Sequence, residues 1–183
     1  MSKNAIRKRI LSRRDTLSPL QVASLSREVA GQFLTCGPYV AASTLVLYAS
    51  IRSEVATLGI FAAAIEAGKR VLYPRTVGTT LEFVAIESLE ALEAGRFGIC
   101  EPGSGESIPL AEIDLIVLPG VAFDEQGIRL GYGFGCYDRA LAAVERPTLV
   151  GLAYDFQIVP SLPRETHDVP VDFLVTERRI LSM

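Results

Sequence analysis

The chain has 183 residues, of which 49% are hydrophobic and 21% charged, and this predicts one globular domain, residues 1–183, with a substantial core. Its isolated cysteines (Cys36, Cys100 and Cys136) exclude a C-x-x-C metal cluster, and its one histidine, His167, excludes sites built from several histidines. No apolar run approaches the ~18 residues of a membrane span, and the basic N-terminus lacks the apolar segment of a signal peptide. We therefore expect a cytoplasmic protein.

The net charge of −3 is unevenly distributed. Six of the eighteen lysines and arginines lie in the first fourteen residues, which contain no acid, so the remainder carries a charge of −9. Nucleic-acid-binding proteins usually spread positive charge over a broader face. One basic helix on an acidic body indicates a local anion site instead, and we expect neither a nucleic acid nor a membrane as a partner.

The N-terminal third is predicted to begin with two helices. Residues 3–15 have helical spacing, with Ile6 and Ile10 on one side. Ser18-Pro19 is typical of an N-cap followed by a proline in the first turn, and this second helix is expected to end near Cys36-Gly37-Pro38.

A βαβ unit is predicted next. The strands are expected at 44–50 and 70–74, and the helix between them is expected to begin at Ser53 and to stop at Gly68. This order predicts parallel pairing and a right-handed crossover. The buried stripe of the helix is expected at Leu58, Phe61, Ala62 and Ile65.

The remaining elements complete an α/β pattern. A strand at 81–86 is expected to be antiparallel or to lie at an edge, because only a short loop precedes it. Residues 87–113 are predicted to hold a short acidic helix and an irregular connection. Further strands of the parallel set are predicted at 113–120, 148–154 and 171–177. The expected fold is a three-layer α/β structure with a mostly parallel, Rossmann-like sheet and helices on both faces.

The segment Asp124–Leu141 carries the strongest indication of chemistry. Glycines occupy every second position from Gly131 to Gly135, and they allow positive φ angles and a close approach of a ligand to the main chain. The helix predicted after them would present its positive N-terminal end to an anion such as phosphate. Arg129 could pair with phosphate as a bidentate fork, and Asp138 could favour the helix dipole or hold magnesium. Helical spacing follows at Tyr137, Ala140, Leu141 and Val144. An ordinary turn before a helix is the alternative.

Other candidate residues lie outside this segment. Lys3 and Arg7 share a helix face, which could bind an anion or simply be solvated. Glu54 follows a strand at the carboxyl edge of the sheet, where ligands of open α/β sheets gather, or it is only a first-turn helix acid. Asp172 opens the last strand as a metal ligand or a capping carboxylate. The solvated interpretation is preferred for Lys8, Arg9 and Arg13.

In their order, these pieces resemble the 5-formyltetrahydrofolate cyclo-ligase family over nearly the whole chain. The block LPGVAFDEQGIRLGYGFGCYDR at 118–139 is the most specific part of the resemblance. The supporting motifs are K-x-x-x-R at Lys3/Arg7, Y-x-S-x-x-x-E at Tyr48–Glu54, YPR at 73–75, Glu101-Pro102, GLAYDFQ at 151–157 and HDVPVDFLVTE at 167–177.

The resemblance implies a NagB/RpiA-like fold and an ATP-dependent reaction with magnesium. In that family ATP phosphorylates the formyl oxygen of 5-formyltetrahydrofolate, the neighbouring nitrogen attacks the formyl carbon, and phosphate leaves to give 5,10-methenyltetrahydrofolate and ADP. Such chemistry needs positioning and charge neutralisation more than a histidine base. The expected partners are ATP and the folate, polyglutamylated or not, and the expected state is a monomer.

The resemblance also implies roles for individual residues. The catalytic residues would be Arg129, Tyr137 and Asp138, and the magnesium ligands Asp138 and Asp172. ATP would contact Lys3, Arg7, Arg129, Leu130, Gly131, Tyr132, Gly133, Phe134, Gly135, Cys136 and Tyr137. The folate would contact Ala49, Glu54, Gly133, Phe134 and Tyr137.

One departure from the family pattern concerns the substrate. The family's usual tyrosine pair in YYDR is Cys136-Tyr137 here, and Phe134 could supply the lost stacking surface. The departure leaves open a paralogue that keeps the Mg-ATP site but acts on a different formylated or amide-like substrate. A non-catalytic nucleotide-binding protein is a further alternative, although pure binding would not require the metal carboxylates.

Overall fold

The computed structural model describes residues 1–95, 98–142 and 146–183. The helices are α1 (Lys3–Arg14), α2 (Pro19–Thr35), α3 (Gly37–Ala41), α4 (Leu58–Glu66) and α5 (Cys136–Ala140). The strands are β1 (Thr44–Val46), β2 (Arg70–Val77), β3 (Thr80–Ala85), β4 (Leu92–Ala94), β5 (Cys100–Pro102), β6 (Leu115–Leu118), β7 (Ala122–Asp124), β8 (Arg129–Leu130), β9 (Thr148–Leu152), β10 (Ile158–Val159), β11 (Phe173–Val175) and β12 (Ile180–Ser182). None of the helices in these described ranges is long and apolar enough to cross a membrane.

The two N-terminal helices begin where the sequence predicts. Ser2 caps α1 by accepting a hydrogen bond from the Ala5 amide, and Ile6 and Ile10 are buried. Ser18 caps α2 in a reciprocal arrangement with Gln21, which satisfies two backbone donors that the helix itself leaves free. The predicted end near Cys36 is confirmed, and the short α3 follows immediately.

A seven-stranded sheet forms the centre of the molecule, in the order β12-β11-β9-β6-β1-β2-β3. The five inner strands are parallel, and β3 and β12 pair antiparallel at the two edges. The predicted parallel βαβ unit and the antiparallel edge strand are therefore confirmed. The chain runs from β1 to β2 in one direction and later adds β6 on the other side of β1. The carboxyl ends of β1 and β6 thus flank a topological switch point, where open α/β sheets form a ligand-binding crevice.

The two faces of this sheet are covered differently. In β6, Leu115 and Val117 belong to the cluster under α2, α3 and α4, whereas Ile116 and Leu118 belong to the opposite cluster. That second cluster is covered partly by α5, through Tyr137 and Ala140, and partly by irregular segments. The fold class predicted from the sequence is confirmed as mixed α/β with a large, mostly parallel sheet and flanking helices.

A second, three-stranded sheet was not predicted. It has the order β10-β7-β8 and packs against α1. Ile6 and Ile10 of α1 share one hydrophobic cluster with Val121 and Ile128, which flank the strands of this sheet. Its strands contain only two or three residues each, too few to produce a recognisable alternation of apolar and polar positions.

Helix α4 differs from its prediction in start and register. It begins at Leu58 rather than after Ser53, because the chain first makes a turn between Ile51 and Glu54. Of the predicted stripe, Phe61 is buried as expected, but Leu58, Ala62 and Ile65 are exposed. The residues that α4 buries are Ile60, Phe61 and Ala64.

Two other segments are shorter than expected. The acidic helix of residues 87–113 is a single 3-10 turn, Leu89–Ala91, followed by a β4–β5 hairpin. Helix α5 ends at Ala140, and Leu141 is buried just beyond it. The predicted position Val144 lies outside the described residues.

Candidate active site

A cavity of about 1190 Å³ opens at the carboxyl ends of β1 and β6. Tyr48 and Ala49, just after β1, form one part of its wall, and Pro119 and Gly120, just after β6, form another. The start of α1, the end of β2 and residues 130–137, called here the glycine segment, close the remaining sides. Elements far apart in sequence therefore meet at the switch point of the sheet. All the predicted site residues except Asp172 line this cavity.

The glycine segment has the backbone conformation that its sequence predicts. Gly133 has a φ of 108° and Gly135 a φ of 65°, which side chains with a Cβ rarely adopt. Gly135 is the N-cap residue of α5, so the turn leads directly into the helix. Arg139 ties the segment to the turn after β2 by donating to the carbonyls of Phe134 at 2.6 Å and Thr79 at 2.8 Å.

Arg129 lies beneath this segment and is paired with an acid. Its Nη2 donates to Asp138 Oδ1 at 3.0 Å, and its guanidinium carbon lies 5.6 Å from the centre of the Tyr137 ring. The Arg129 side chain is only 6% exposed, and its Nε has no hydrogen-bond partner among the described residues. Arg129 also lines the cavity, and a guanidinium in a cavity wall is suited to binding an anion.

Lys3 and Arg7 approach the same cavity from α1. Lys3 Nζ lies 2.9 Å from Asp168 Oδ2 and 3.3 Å from Glu165 Oε1. Burial alone would lower the pKa of Lys3, but the two carboxylates reverse that effect and raise it. Arg7 Nε donates to the Gly131 carbonyl at 3.0 Å and so links α1 to the glycine segment.

Glu54 is the buried acid of the cavity, with 5% exposure. Its Oε2 accepts from the Ile51 amide at 3.0 Å, and its own amide donates to the Ile51 carbonyl. The alternative that Glu54 is a first-turn helix acid is wrong, because α4 begins four residues later. Burial raises the pKa of Glu54, whereas the Ile51 amide, Arg14 and Tyr132 each lower it.

The aromatic wall consists of Tyr137 and Phe134. Phe134 is 56% exposed and lines the cavity. Burial raises the pKa of Tyr137, which keeps the phenol protonated. Cys136 and Ala49 are smaller parts of the same wall.

The expected pairing of Asp138 with Asp172 is not found. Asp172 precedes β11, at the amino end of the parallel strands, where Arg146 binds both of its oxygens at 2.7 and 2.8 Å. The Leu149 amide also donates to it at 2.8 Å. Asp168 lines the cavity instead, and Asp138 Oδ1 lies 3.4 Å from the amide of the next residue, Val169.

Sequence reasoning gave no site role to Asp168, Arg139 or Arg14. Asp168 stands in the same motif as Asp172, but only the position of β11 decides which of the two carboxylates reaches the cavity. Arg139 directly follows Asp138 in the specific block. Arg14 returns near the Lys3–Arg7 face of α1, yet nothing in its spacing indicates that it is fully buried.

Comparison with known proteins gives a consistent result. The model of the 5-formyltetrahydrofolate cyclo-ligase family matches residues 1–177. The 5-formyltetrahydrofolate cyclo-ligase of Escherichia coli is 35% identical over 179 residues, covering 93% of this chain and 98% of the relative. The NMR structure of Aquifex aeolicus 5,10-methenyltetrahydrofolate synthetase is 36% identical, with a TM-score of 0.89, and the match covers 100% of this chain and 93% of that one. The Mycoplasma pneumoniae synthetase is 28% identical, with a TM-score of 0.78 and coverage of 97% and 99%.

Proposed function

Because this chain belongs to the 5-formyltetrahydrofolate cyclo-ligase family, we propose that the cavity between β1 and β6 is its active site. The enzyme is a ligase that uses ATP to convert 5-formyltetrahydrofolate into 5,10-methenyltetrahydrofolate, releasing ADP and phosphate. The observation that carries the site assignment is the presence of Arg129 and Glu54 in one cavity. These side chains give it a cationic wall for phosphate and an acidic wall for the folate.

The reaction has two steps, and in each the cavity has to align the reacting groups. The formyl oxygen attacks the γ-phosphorus of ATP, and ADP leaves. The neighbouring amine nitrogen of the folate then attacks the formyl carbon and loses its proton, and phosphate departs with the former formyl oxygen. Phosphorylation is needed because the oxygen of a formamide is otherwise a poor leaving group. The protein mainly has to hold both substrates in line and neutralise the phosphate charge.

The phosphate end of ATP is assigned to the glycine segment and the cations around it. Gly133 and Gly135 have positive φ angles and no side chain, so a phosphate can approach the main chain there, and Arg129 lines the same cavity. Lys3 and Arg7 approach from α1. The remaining ATP contacts are assigned to the other residues of the segment: Leu130, Gly131, Tyr132, Phe134, Cys136 and Tyr137.

The folate end is assigned to Glu54 and the aromatic wall. The pterin presents an edge of N–H donors, and one carboxylate can accept two of these side by side. The turn that bonds Glu54 to Ile51 fixes the carboxylate at the cavity wall. Phe134 and Tyr137 provide ring surfaces, and Ala49 leaves space beside them.

Magnesium is assigned to Asp138 and Asp168. Asp138 Oδ2 has no hydrogen-bond partner among the described residues, and magnesium characteristically combines one or two carboxylates with phosphate oxygens and waters. The ion would neutralise charge on the transferred phosphoryl group. Asp172 is left out because it is not part of the cavity lining and Arg146 binds both of its oxygens.

A different formylated or amide-like substrate remains the second candidate, because Cys136 replaces an aromatic side chain of the pocket. The deciding experiment follows the absorbance of methenyltetrahydrofolate from 5-formyltetrahydrofolate, with and without Mg-ATP. Formation that depends on Mg-ATP is expected. ATP hydrolysis stimulated by another formamide, with no methenyl product from the folate, would favour the second candidate.

Four other expectations accompany this assignment. A cytoplasmic location is supported by the three unpaired cysteines, since oxidising compartments favour disulfides. The single domain is supported by Phe123, which lies in a strand of the small sheet and packs in a core cluster of the large one. The monomeric state and the acceptance of polyglutamylated folate stay predictions.

A further inference from the structure

Arg14, the last residue of α1, is buried in an unusual way for an arginine. Its exposure is 0%, and its Nη2 donates to the Tyr132 hydroxyl at 2.5 Å. Its Nε and Nη1 have no hydrogen-bond partner among the described residues. A buried guanidinium with so few partners is costly unless a nearby negative charge compensates it.

The compensating charge is Glu54. Arg14 lies close enough to lower the pKa of Glu54, and the Tyr132 hydroxyl, which bonds to Arg14, also lowers it. The Tyr132 hydroxyl accepts from Arg14, which leaves its proton for the Glu54 carboxylate. Tyr132 and Glu54 both line the cavity, whereas Arg14 lies behind its wall. Arg14 therefore reaches, through Tyr132, the part of the protein that forms the cavity wall and holds Glu54.

We propose that Arg14 is a positioning residue for the folate site, holding Tyr132 against Glu54 so that Glu54 meets the pterin as an oriented anion. This inference rests on the role assigned to Glu54 above. Arg14 touches no substrate, and its effect passes through Tyr132 and through its charge. Without that charge, a carboxylate with 5% exposure would more readily take up a proton. A protonated Glu54 would have one acceptor fewer for the pterin edge.

The groups that face Glu54 determine the direction of the pH effect. Burial raises the pKa of Glu54, the positive charges near it lower that pKa, and the surrounding phenols are neutral near pH 7. The positive charges are Arg14 from α1 and Arg52 from the turn that contains Glu54. The phenols are those of Tyr48 after β1, Tyr132 in the glycine segment, Tyr137 in α5 and Tyr154 after β9. Removing Arg14 raises the pKa of Glu54 further. Folate binding that needs the carboxylate is then lost at a higher pH as the solution is acidified.

The test measures equilibrium binding of 5-formyltetrahydrofolate by calorimetry between about pH 5 and 8, which brackets the region above the ordinary carboxyl pKa. The variants are Arg14→Met and Tyr132→Phe, with Arg9→Met as the control because Arg9 is an exposed arginine on the same helix. Both test variants are expected to weaken folate binding near neutral pH. In Arg14→Met the folate affinity is expected to fall about tenfold, and the pH at which binding is lost on acidification is expected to rise by about one unit. The Arg9→Met profile should match the wild type.

The pH at which folate binding is lost separates positioning from a purely structural role. A general loosening of the fold would not move that pH in a defined direction. Tyr132→Phe removes only a hydroxyl, so this variant still tests the proposal if Arg14→Met does not fold. The proposal is overturned if Tyr132→Phe, or folded Arg14→Met, binds folate with unchanged affinity and loses binding at the same pH as the wild type. Normal folate binding by Glu54→Gln identifies a different failure, that of the assigned Glu54 role itself.

Discussion

Lys3 Nζ and Asp168 Oδ2 lie 2.9 Å apart although 165 positions separate them in the sequence. The contact joins the first turn of α1 to the segment before β11 and closes one side of the cavity. Asp168 also accepts from the Glu165 amide at 2.8 Å, so the carboxylate is fixed before any ligand arrives. The ammonium of Lys3 is thereby held at the cavity wall, where it can share its remaining donors with a phosphate.

Lys3→Ala and Arg129→Ala are expected to weaken the use of ATP. Each removes a charge-assisted contact of about 1.5–3 kcal/mol, which corresponds to a loss of roughly ten- to a hundredfold in kcat/KM for ATP. Steady-state kinetics with ATP varied at saturating folate measure the effect. Lys8→Ala, an exposed lysine on the same helix, is the control. Wild-type ATP kinetics in both test variants would refute the phosphate assignment.

Glu54→Gln should impair the folate side and leave ATP binding nearly unchanged. Glutamine keeps the shape but replaces one acceptor with a donor, which then opposes an N–H of the pterin. We expect turnover of 5-formyltetrahydrofolate to fall about a hundredfold, on the order of 3 kcal/mol. Turnover and the equilibrium affinity for ATP are to be measured on the same preparation. Normal folate turnover would remove the main polar anchor of the proposed site.

Magnesium dependence should distinguish the three aspartates. Asp138→Asn and Asp168→Asn are expected to raise the magnesium concentration needed for half-maximal activity by about tenfold or more, because each removes a charged oxygen ligand. Asp172→Asn should leave that concentration unchanged. A magnesium titration of all three variants checks this, and a shift confined to Asp172→Asn would reverse the metal assignment.

Asp172 is expected to matter for stability instead. Burial alone would raise its pKa, but Arg146 and the Leu149 amide outweigh burial and lower it. A lowered folded-state pKa stabilises the fold above the unfolded pKa of about 3.9, and the contribution is lost as the pH falls through the folded value. Asp172→Asn should therefore unfold at a lower temperature than the wild type near pH 7, and the difference should shrink below about pH 4. Thermal unfolding followed by circular dichroism measures it; a constant difference down to low pH would exclude the ion pair as its source.

Phe134→Ala tests whether this ring replaces the missing tyrosine. Loss of an aromatic stacking partner costs about 0.5–1.5 kcal/mol, so KM for the folate should rise roughly two- to tenfold. Leu20→Ala, which shortens an exposed apolar side chain on α2, serves as the control. An unchanged KM would mean that Tyr137 alone supports the substrate ring.

Much of the local structure follows from sequence because its causes are local. The cap at Ser18 is predicted from the sequence, and the cap at Ser2, which is not, has the same local cause: a side-chain oxygen accepts from the backbone amide three residues on. The parallel strands are recognisable because burial on both faces requires continuous apolar runs, as in Leu115–Leu118. The glycine segment is recognisable because positive φ angles favour glycine. The resemblance of the block around it to one family predicts the reaction.

Other features depended on the tertiary structure. The start of α4 could not be predicted because a turn between Ile51 and Glu54 comes first. The chain after that turn is held by Tyr48, just beyond β1, whose hydroxyl donates to the Val55 carbonyl and whose carbonyl accepts from the Thr57 hydroxyl. The choice between Asp168 and Asp172 depended on where β11 enters the sheet. The buried position of Arg14 depended on Tyr132 and Glu54 arriving from distant segments. Sequence alone determined the fold class, the family and the residues that could carry chemistry, because composition, backbone conformation and motif order are properties of the chain. The tertiary structure decided which charges meet, because electrostatic contacts form between segments whose proximity no local pattern encodes.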